Sequence, residues 1–213
     1  MTAQFPRLYP ILDTASLTAR GCPLEDAARA VLDAGARILQ IRHKGHWHRD
    51  LYAAAQRVRD ACQAAGAQLI ANDRADFALL LGAGLHIGQN DLPPPLARNL
   101  TGPDCLIGFS THNATQLIAA SQEPVDYLAL GPVFPTGSKM KPDPTVGVGS
   151  LSRLRSLTAR PLVAIGGITR ENARAVLNAG ADSIAVIGDL LPDPATPASI
   201  RQRVEQWLQL LQA

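Results

Sequence analysis

Short apolar runs alternate with longer stretches of helical periodicity along the whole chain, and this alternation predicts eight strand–helix units. Leu8 to Leu12 (LYPIL) is the first strand. A helix follows at Pro23 to Ala34, with proline in its first turn, Ala27, Ala30, Val31 and Ala34 on one face, and Gly35 as its stop. Arg37 to Ile41 is the second strand, with a helix at Arg49 to Ala65; Gln68 to Ala71 is the third, with Arg74 to Leu81. Leu85 to Ile87 is the fourth, and the proline-rich Leu92 to Leu100 holds a brief helix. Cys105 to Phe109 precedes a helix at Asn113 to Ser121, and Tyr127 to Leu130 precedes a long loop and a helix at Ser150 to Leu157. Leu162 to Ile165 with Arg170 to Ala179, and Ser183 to Val186 with Pro197 to Gln212, complete the series.

Strands that are apolar almost throughout, each followed by a helix, imply a parallel sheet covered on both faces. Eight such units in 213 residues predict a single-domain α/β protein folded as a closed (β/α)8 TIM barrel, at the small end of that architecture. The alternative, an open doubly wound sheet, usually carries a glycine fingerprint after its first strand, and LYPILDTAS has none.

Composition narrows the function classes. Twenty Lys and Arg against 18 Asp and Glu are spread evenly, without the basic block that nucleic acid or an anionic membrane surface would require. Cys22, Cys62 and Cys105 are odd in number and far apart, with no CxxC pair, which predicts reduced thiols in a cytoplasm. The amino-terminal MTAQFPRLYPIL lacks the pattern of a signal peptide. A small-molecule enzyme is the expectation, and the sequence is compatible with a homo-oligomer.

In a barrel of this kind, sites lie where the strands end. Gln40, Arg42 and Lys44 stand at alternate positions after the second strand, which would turn all three to one face. Asn72-Asp73-Arg74 follows the third strand, HIGQND with Asp91 the fourth, and Ser110-Thr111-His112 the fifth. Asp126 to Lys139 (DYLALGPVFPTGSK) carries the sixth strand into a loop with Thr136, Ser138 and Lys139. Gly166-Gly167 and Ile187-Gly188 follow the last two strands, where barrels often hold a phosphate on backbone N–H groups.

Each feature also has a plainer explanation. Asp73 and Ser110 could cap helices, and the glycine pair could be a tight turn. His43, His46 and His48 read as a solvated loop, His86 as a hydrogen-bonded barrel histidine, and His112 as either an acid–base group or a cap.

Taken together, QIRHK, NDR, GLHIGQND, GFSTH, DYLALGPVFPTGSK, VAIGGI and ADSIAVI, in this order and at these spacings, closely resemble the thiamine-phosphate synthase (thiamine-phosphate pyrophosphorylase) family over nearly the whole chain. The resemblance implies a transferase that joins hydroxymethylpyrimidine diphosphate to a carboxylated thiazole phosphate, releasing pyrophosphate and CO2, with Mg2+. It places Gln40, Arg42, Lys44, Asn72, Ser110 and Lys139 on the pyrimidine diphosphate, with Arg42, Lys44, Lys139 and Ser110 taking part in catalysis. Asp73 and Asp91 match the family's magnesium carboxylates; Thr136, Ser138, Gly167, Ile187 and Gly188 match its thiazole phosphate site. On that pattern the loop ending at Lys139 bridges both substrates.

Three positions depart from the family's habit. Ser138 replaces a threonine, Gly188 replaces a serine, and His43 replaces an acidic residue that would point away from the site. Gly188 predicts weaker or differently shaped contacts to the thiazole phosphate. A sister family, the thiazole tautomerases, resembles the synthases but uses a histidine at the position matched by His112 and tends to lack the carboxylates and loop lysine; this chain keeps Asp73, Asp91, Lys44 and Lys139. A catalytically silent phosphate-binding barrel is the third reading.

Overall fold

The eight strands pair in chain order, every one parallel to the next, and β8 returns to β1 to close the sheet in a computed structural model that describes residues 5–136 and 143–212. The strands are β1 (Leu8–Asp13), β2 (Ile38–Arg42), β3 (Gln68–Asn72), β4 (Gly84–Ile87), β5 (Ile107–Thr111), β6 (Tyr127–Leu130), β7 (Leu162–Ile165) and β8 (Ser183–Val186). The helices are α1 (Thr14–Thr18), α2 (Leu24–Asp33), α3 (Arg49–Ala64), α4 (Ala75–Leu81), α5 (Pro94–Thr101), α6 (Ala114–Ala120), α7 (Val148–Arg155), α8 (Ala173–Asn178) and α9 (Pro197–Gln212). A closed barrel has no sheet edge, so every strand finds partners on both sides.

The strand–helix alternation is the one the sequence predicts, with differences at element ends. The short α1 was not anticipated; the Asp13 side chain caps it by accepting from the Ser16 N–H. The fifth strand lies later than expected, at Ile107–Thr111 instead of 105–109, because Gly102, Pro103 and Asp104 extend the preceding turn. The helix expected at 170–179 begins only at Ala173, after Asn172 Oδ1 has accepted from the Thr169 N–H.

Two apolar cores result from the period of two along each strand. The larger lies between sheet and helices, around Leu39, Ile41, Val58, Leu128, Leu162 and Trp207. The smaller fills the barrel interior with Tyr9, Ile11, Ile38, Ile70, Tyr127, Ala129, Val163 and Ala185. Register places Asn72, His86, Gly108 and Tyr127 side by side across four strands. Gly108 is what makes room for Tyr127: a Cβ there would lie 2.0 Å from the ring Cζ and 2.4 Å from the hydroxyl.

Gly108→Ala is therefore expected to force Tyr127 aside and destabilise the barrel by about 1–3 kcal/mol, a fall in melting temperature of roughly 2–10 °C. An unchanged thermal melt would place the Tyr127 ring elsewhere.

Candidate active site

The ends of the strands open into a cavity of about 830 Å3, lined on one side by charged groups from the loops after β2, β3 and β4 and on the other by the glycine-containing loops after β7 and β8. Gln40 and Arg42 both face it, as alternation along β2 requires, and Lys44 follows from the loop. His43 turns away and places Nδ1 2.7 Å from Thr14 Oγ1.

Two cation–carboxylate pairs organise the charged side. Arg42 Nη1 donates to Asp13 Oδ2, and both side chains are largely buried, 15% and 8% exposed. Burial would raise the Asp13 carboxyl, but the Ser16 N–H and hydroxyl together with the Arg42 guanidinium outweigh it and hold the group below the usual carboxylate range. Lys44 Nζ donates to Asp73 Oδ2 at 2.5 Å in a more open setting, 54% and 21% exposed.

Asp73 does not cap a helix. Arg74 holds the N-cap position of α4 without a side-chain bond, and Asp73 instead adopts the left-handed backbone, φ 65°, the sole non-glycine residue to do so among those described. That conformation is costly outside glycine and occurs where the surroundings impose it. Here the Asp73 N–H donates to the His86 carbonyl at 2.8 Å, fixing the turn that brings its carboxylate beside Lys44.

Asp91 accepts from the Gly88 N–H at 2.7 Å. Burial, and then the neighbouring Asp73 carboxylate, push its carboxyl up, against the Gly88 hydrogen bond and the Lys44 ammonium that pull it down. Two carboxylates that close resist ionising together, and a divalent cation with oxygen ligands removes that resistance. Among the described residues no group of three or more His, Cys, Asp or Glu could hold a metal ion by itself, so any cation beside Asp73 and Asp91 would need water and ligand oxygens to complete its shell.

Ser110 does not cap a helix either. Asn113 caps α6, and Ser110 lies within β5 with its Oγ 2.9 Å from His86 Nε2. His86 is the buried, hydrogen-bonded histidine its strand position implies: Nδ1 lies 3.0 Å from Tyr127 Oη, which lies 2.8 Å from Tyr9 Oη, which accepts from Gln40 Nε2 at 2.8 Å. Asn72 Nδ2 is buried beside the cavity with no hydrogen-bond partner among the described residues, an orphan donor available to a ligand.

Gly166 (φ 98°) and Gly167 (φ 63°) are required by sterics alone: added Cβ atoms would lie 2.5 Å from Pro132 Cβ and 2.4 Å from the Pro135 carbonyl oxygen. Val133 N–H and Phe134 N–H donate to the Ile165 and Gly166 carbonyls, tying the loop after β6 to the loop after β7. Gly188 is different, since a Cβ there would meet nothing within 4 Å. Ile187 and Gly188 line the cavity, and the next residue, Asp189, accepts from Arg170 Nε at 3.1 Å and Trp207 Nε1 at 2.9 Å, while its carbonyl accepts from Arg203 Nη1.

Thr136 and His112 also face the cavity; His112 Nδ1 lies 2.5 Å from the Gly131 carbonyl oxygen and Nε2 3.5 Å from Asp143 Oδ2. Ser138 and Lys139 lie outside the described residues.

A family model for thiamine monophosphate synthase matches residues 8–190. The chain belongs to that family. The thiamine-phosphate synthase of Koribacter versatilis is 46% identical over 211 residues, covering 98% of this chain and 97% of the relative. That of Methanospirillum hungatei is 42% identical over 196 residues, with 92% and 94% covered. A solved thiamine phosphate pyrophosphorylase from Pyrococcus furiosus superposes with a TM-score of 0.84 at 30% identity, covering 97% of this chain and 95% of that one. This member of the thiamine monophosphate synthase family is thus a transferase built on a closed eight-stranded barrel. Among its described residues no helix is long and apolar enough to cross a membrane.

Asp13, Tyr9, Tyr127 and Asp189 complete the site and were not singled out from the sequence. Asp13 had a signal: it is a carboxylate at the end of the first strand, the same rim as the other charged groups. Tyr9 and Tyr127 sit inside apolar runs, where nothing local separates them from ordinary core.

Replacing Asp13 by Asn should leave Arg42 without its counter-charge and cost about 1–3 kcal/mol at neutral pH. Because the folded pKa of Asp13 lies below its unfolded value, the carboxylate's contribution is complete above about pH 4 and disappears as pH falls through the folded pKa. Urea melts of wild type and Asp13→Asn should therefore differ most at neutral pH and converge in acid. A gap that persisted in acid would show that the Arg42 pair is not its source.

Proposed function

We propose that the barrel mouth joins hydroxymethylpyrimidine diphosphate to carboxythiazole phosphate, releasing pyrophosphate and CO2 to form thiamine phosphate. The observation that carries this reading is the convergence of Arg42, Lys44, Asp73 and Asp91 on one side of the cavity, opposite the loops of Gly167 and Gly188. One side suits a diphosphate with its counter-ions, and the other suits a phosphate monoester on backbone N–H groups.

The bond to be broken joins the pyrimidine methylene to a diphosphate oxygen, and both electrons leave with the oxygen. Arg42 and Lys44, with Lys139 assigned by resemblance, offset the charge that grows on the departing diphosphate. A magnesium ion held by Asp73 and Asp91 would add Lewis-acid stabilisation to the same oxygens. Gln40, Asn72 and Ser110 hold the pyrimidine, whose amino-substituted ring carries the positive charge. The apolar floor formed by Ile11, Ala129 and Val163 keeps water from trapping the cation. The thiazole nitrogen, held nearby through its phosphate by Thr136, Ser138, Gly167, Ile187 and Gly188, closes the C–N bond with its lone pair. The ring carboxylate then leaves as CO2, its bonding electrons staying on the ring carbon, which takes a proton from water. No protein nucleophile is needed. The three free cysteines suit a reducing, cytoplasmic setting.

The tautomerase reading would rest on His112, which lines the cavity. It leaves the Asp73–Asp91 pair and the Lys44 ammonium without a task, so the transfer reaction accounts for more of the site.

Purified protein supplied with both heterocycles should release pyrophosphate only when magnesium is present. Isomerised thiazole without pyrophosphate would establish the tautomerase instead, and tight binding with neither product would establish a silent barrel. Asp91→Ala is expected to reduce turnover on the order of 100-fold and to weaken the magnesium response together with it; full activity at low magnesium would remove Asp91 from the metal site.

Gly188 offers a gain-of-function test. Its surroundings leave space for a side chain, so Gly188→Ser should fold normally and lower the KM for the thiazole phosphate roughly 3–10-fold through one added hydrogen bond to a charged group. A raised KM would place the phosphate elsewhere.

A further inference from the structure

Gln40 on β2, Tyr9 on β1, Tyr127 on β6, His86 on β4 and Ser110 on β5 form one continuous hydrogen-bonded path across the barrel interior, with successive separations of 2.8, 2.8, 3.0 and 2.9 Å. All but Ser110 are buried. A phenol has one proton to give, and a neutral imidazole has one donor nitrogen and one acceptor nitrogen. A path made of such groups runs in one direction from end to end, and fixing either end fixes the rest.

The Gln40 end is fixed. Its Nε2 can only donate, so Tyr9 Oη accepts there, and the buried Tyr9 proton, with no other acceptor among the described residues, goes to Tyr127 Oη. Tyr127 then donates to His86 Nδ1, which leaves the imidazole proton on Nε2, directed at Ser110 Oγ. Burial pushes the Tyr9 hydroxyl up, and burial with the adjoining Tyr9 does the same for Tyr127, so both phenols keep the proton the path requires. Ser110 Oγ, already accepting from His86, is left to donate. Its residue lines the cavity.

We propose that Gln40, acting through Tyr9, Tyr127 and His86, sets Ser110 as a hydrogen-bond donor, so that the pyrimidine-binding side of the mouth selects a ligand with an acceptor atom at that point. The assignment of the ligand rests on the transfer reaction proposed above; the direction of the path does not. Tyr9, Tyr127 and His86 are positioning residues. Their effect is on which partner Ser110 can take: with the path reversed, Ser110 would give its proton to His86 and meet the ligand as an acceptor. A ligand carrying N–H or O–H at that point would have to use the second lone pair of Ser110 Oγ and leave the Ser110 proton without an acceptor, so it binds less well than a ligand that accepts.

The test begins on the whole, ligand-free protein labelled with 15N-histidine, the His86 resonances being assigned by their loss in His86→Asn. Nitrogen shifts should report a proton on Nε2 and none on Nδ1. A proton on Nδ1, or on both nitrogens, would overturn the proposal, and this measurement needs no catalytic activity.

Tyr127→Phe then interrupts the path at Nδ1. The shift pattern of His86 should change, and the KM for the pyrimidine diphosphate should rise about 10-fold while that for the thiazole phosphate stays within about twofold. An unaltered imidazole, an unaltered pyrimidine diphosphate KM, or an equal rise in both constants would each show a purely structural role and overturn it. If the wild-type tautomer is as expected but no transfer reaction is found, the reading of function fails and the direction of the path stands.

Discussion

The inside of a small closed barrel is filled by side chains and shut off from water, so any polar group placed there must find its partner among the other strands. That constraint shapes everything at the mouth of this molecule. Gln40, His86 and both tyrosines belong to the barrel's interior layers, and each satisfies the next, so the apolar floor and the polar rim are joined by a continuous series of bonds. Gly108 belongs to the same arrangement, since it is the absence of its side chain that admits the Tyr127 ring. A site built in this way inherits the rigidity of the strands rather than the mobility of the loops.

The charged side follows a different rule. Arg42 and Lys44 are two positions apart, yet one pairs with Asp13 almost out of solvent and the other with Asp73 mostly within it. A buried pair is expensive to separate, whereas an exposed one exchanges partners at little cost. Arg42 is therefore a fixed element of the cavity wall, whereas Lys44 can leave the Asp73 carboxylate at little cost.

The barrel was legible in the sequence because its two signals are periodic and repeated: apolar strand, helical stripe, glycine stop. Some rim residues were legible for the same reason, since alternation along QIRHK puts Gln40 and Arg42 on one face of β2, while Lys44 lies just past the strand's end and reaches the same cavity from the loop. Ends of elements were less so. Ser110 and Asp73 each carry a residue type that caps helices, and only the later start of β5 and the left-handed backbone at residue 73 show that neither does. The glycine pair after β7 has a sufficient steric reason in Pro132 and Pro135, which come from a different strand's loop and leave no local trace. Tyr9 and Tyr127 lay hidden for a related cause: 118 residues separate the two hydroxyls that meet at 2.8 Å.

Asp189 gives the barrel an order in time as well as in space. Its carboxylate gathers Arg170 from the loop after β7 and Trp207 from α9, and its carbonyl takes Arg203 from the same helix, so the turn carrying Gly188 is held from behind by the last of these elements to be translated. The sheet itself closes only when β8 reaches β1, an approach seen again where Ser183 Oγ meets the Arg7 carbonyl across 176 residues. On a ribosome the cations and carboxylates of β2 to β4 therefore emerge well before the opposite wall exists. Until α9 docks, Asp189 lacks the Trp207 and Arg203 partners that hold the turn of Gly188 from behind.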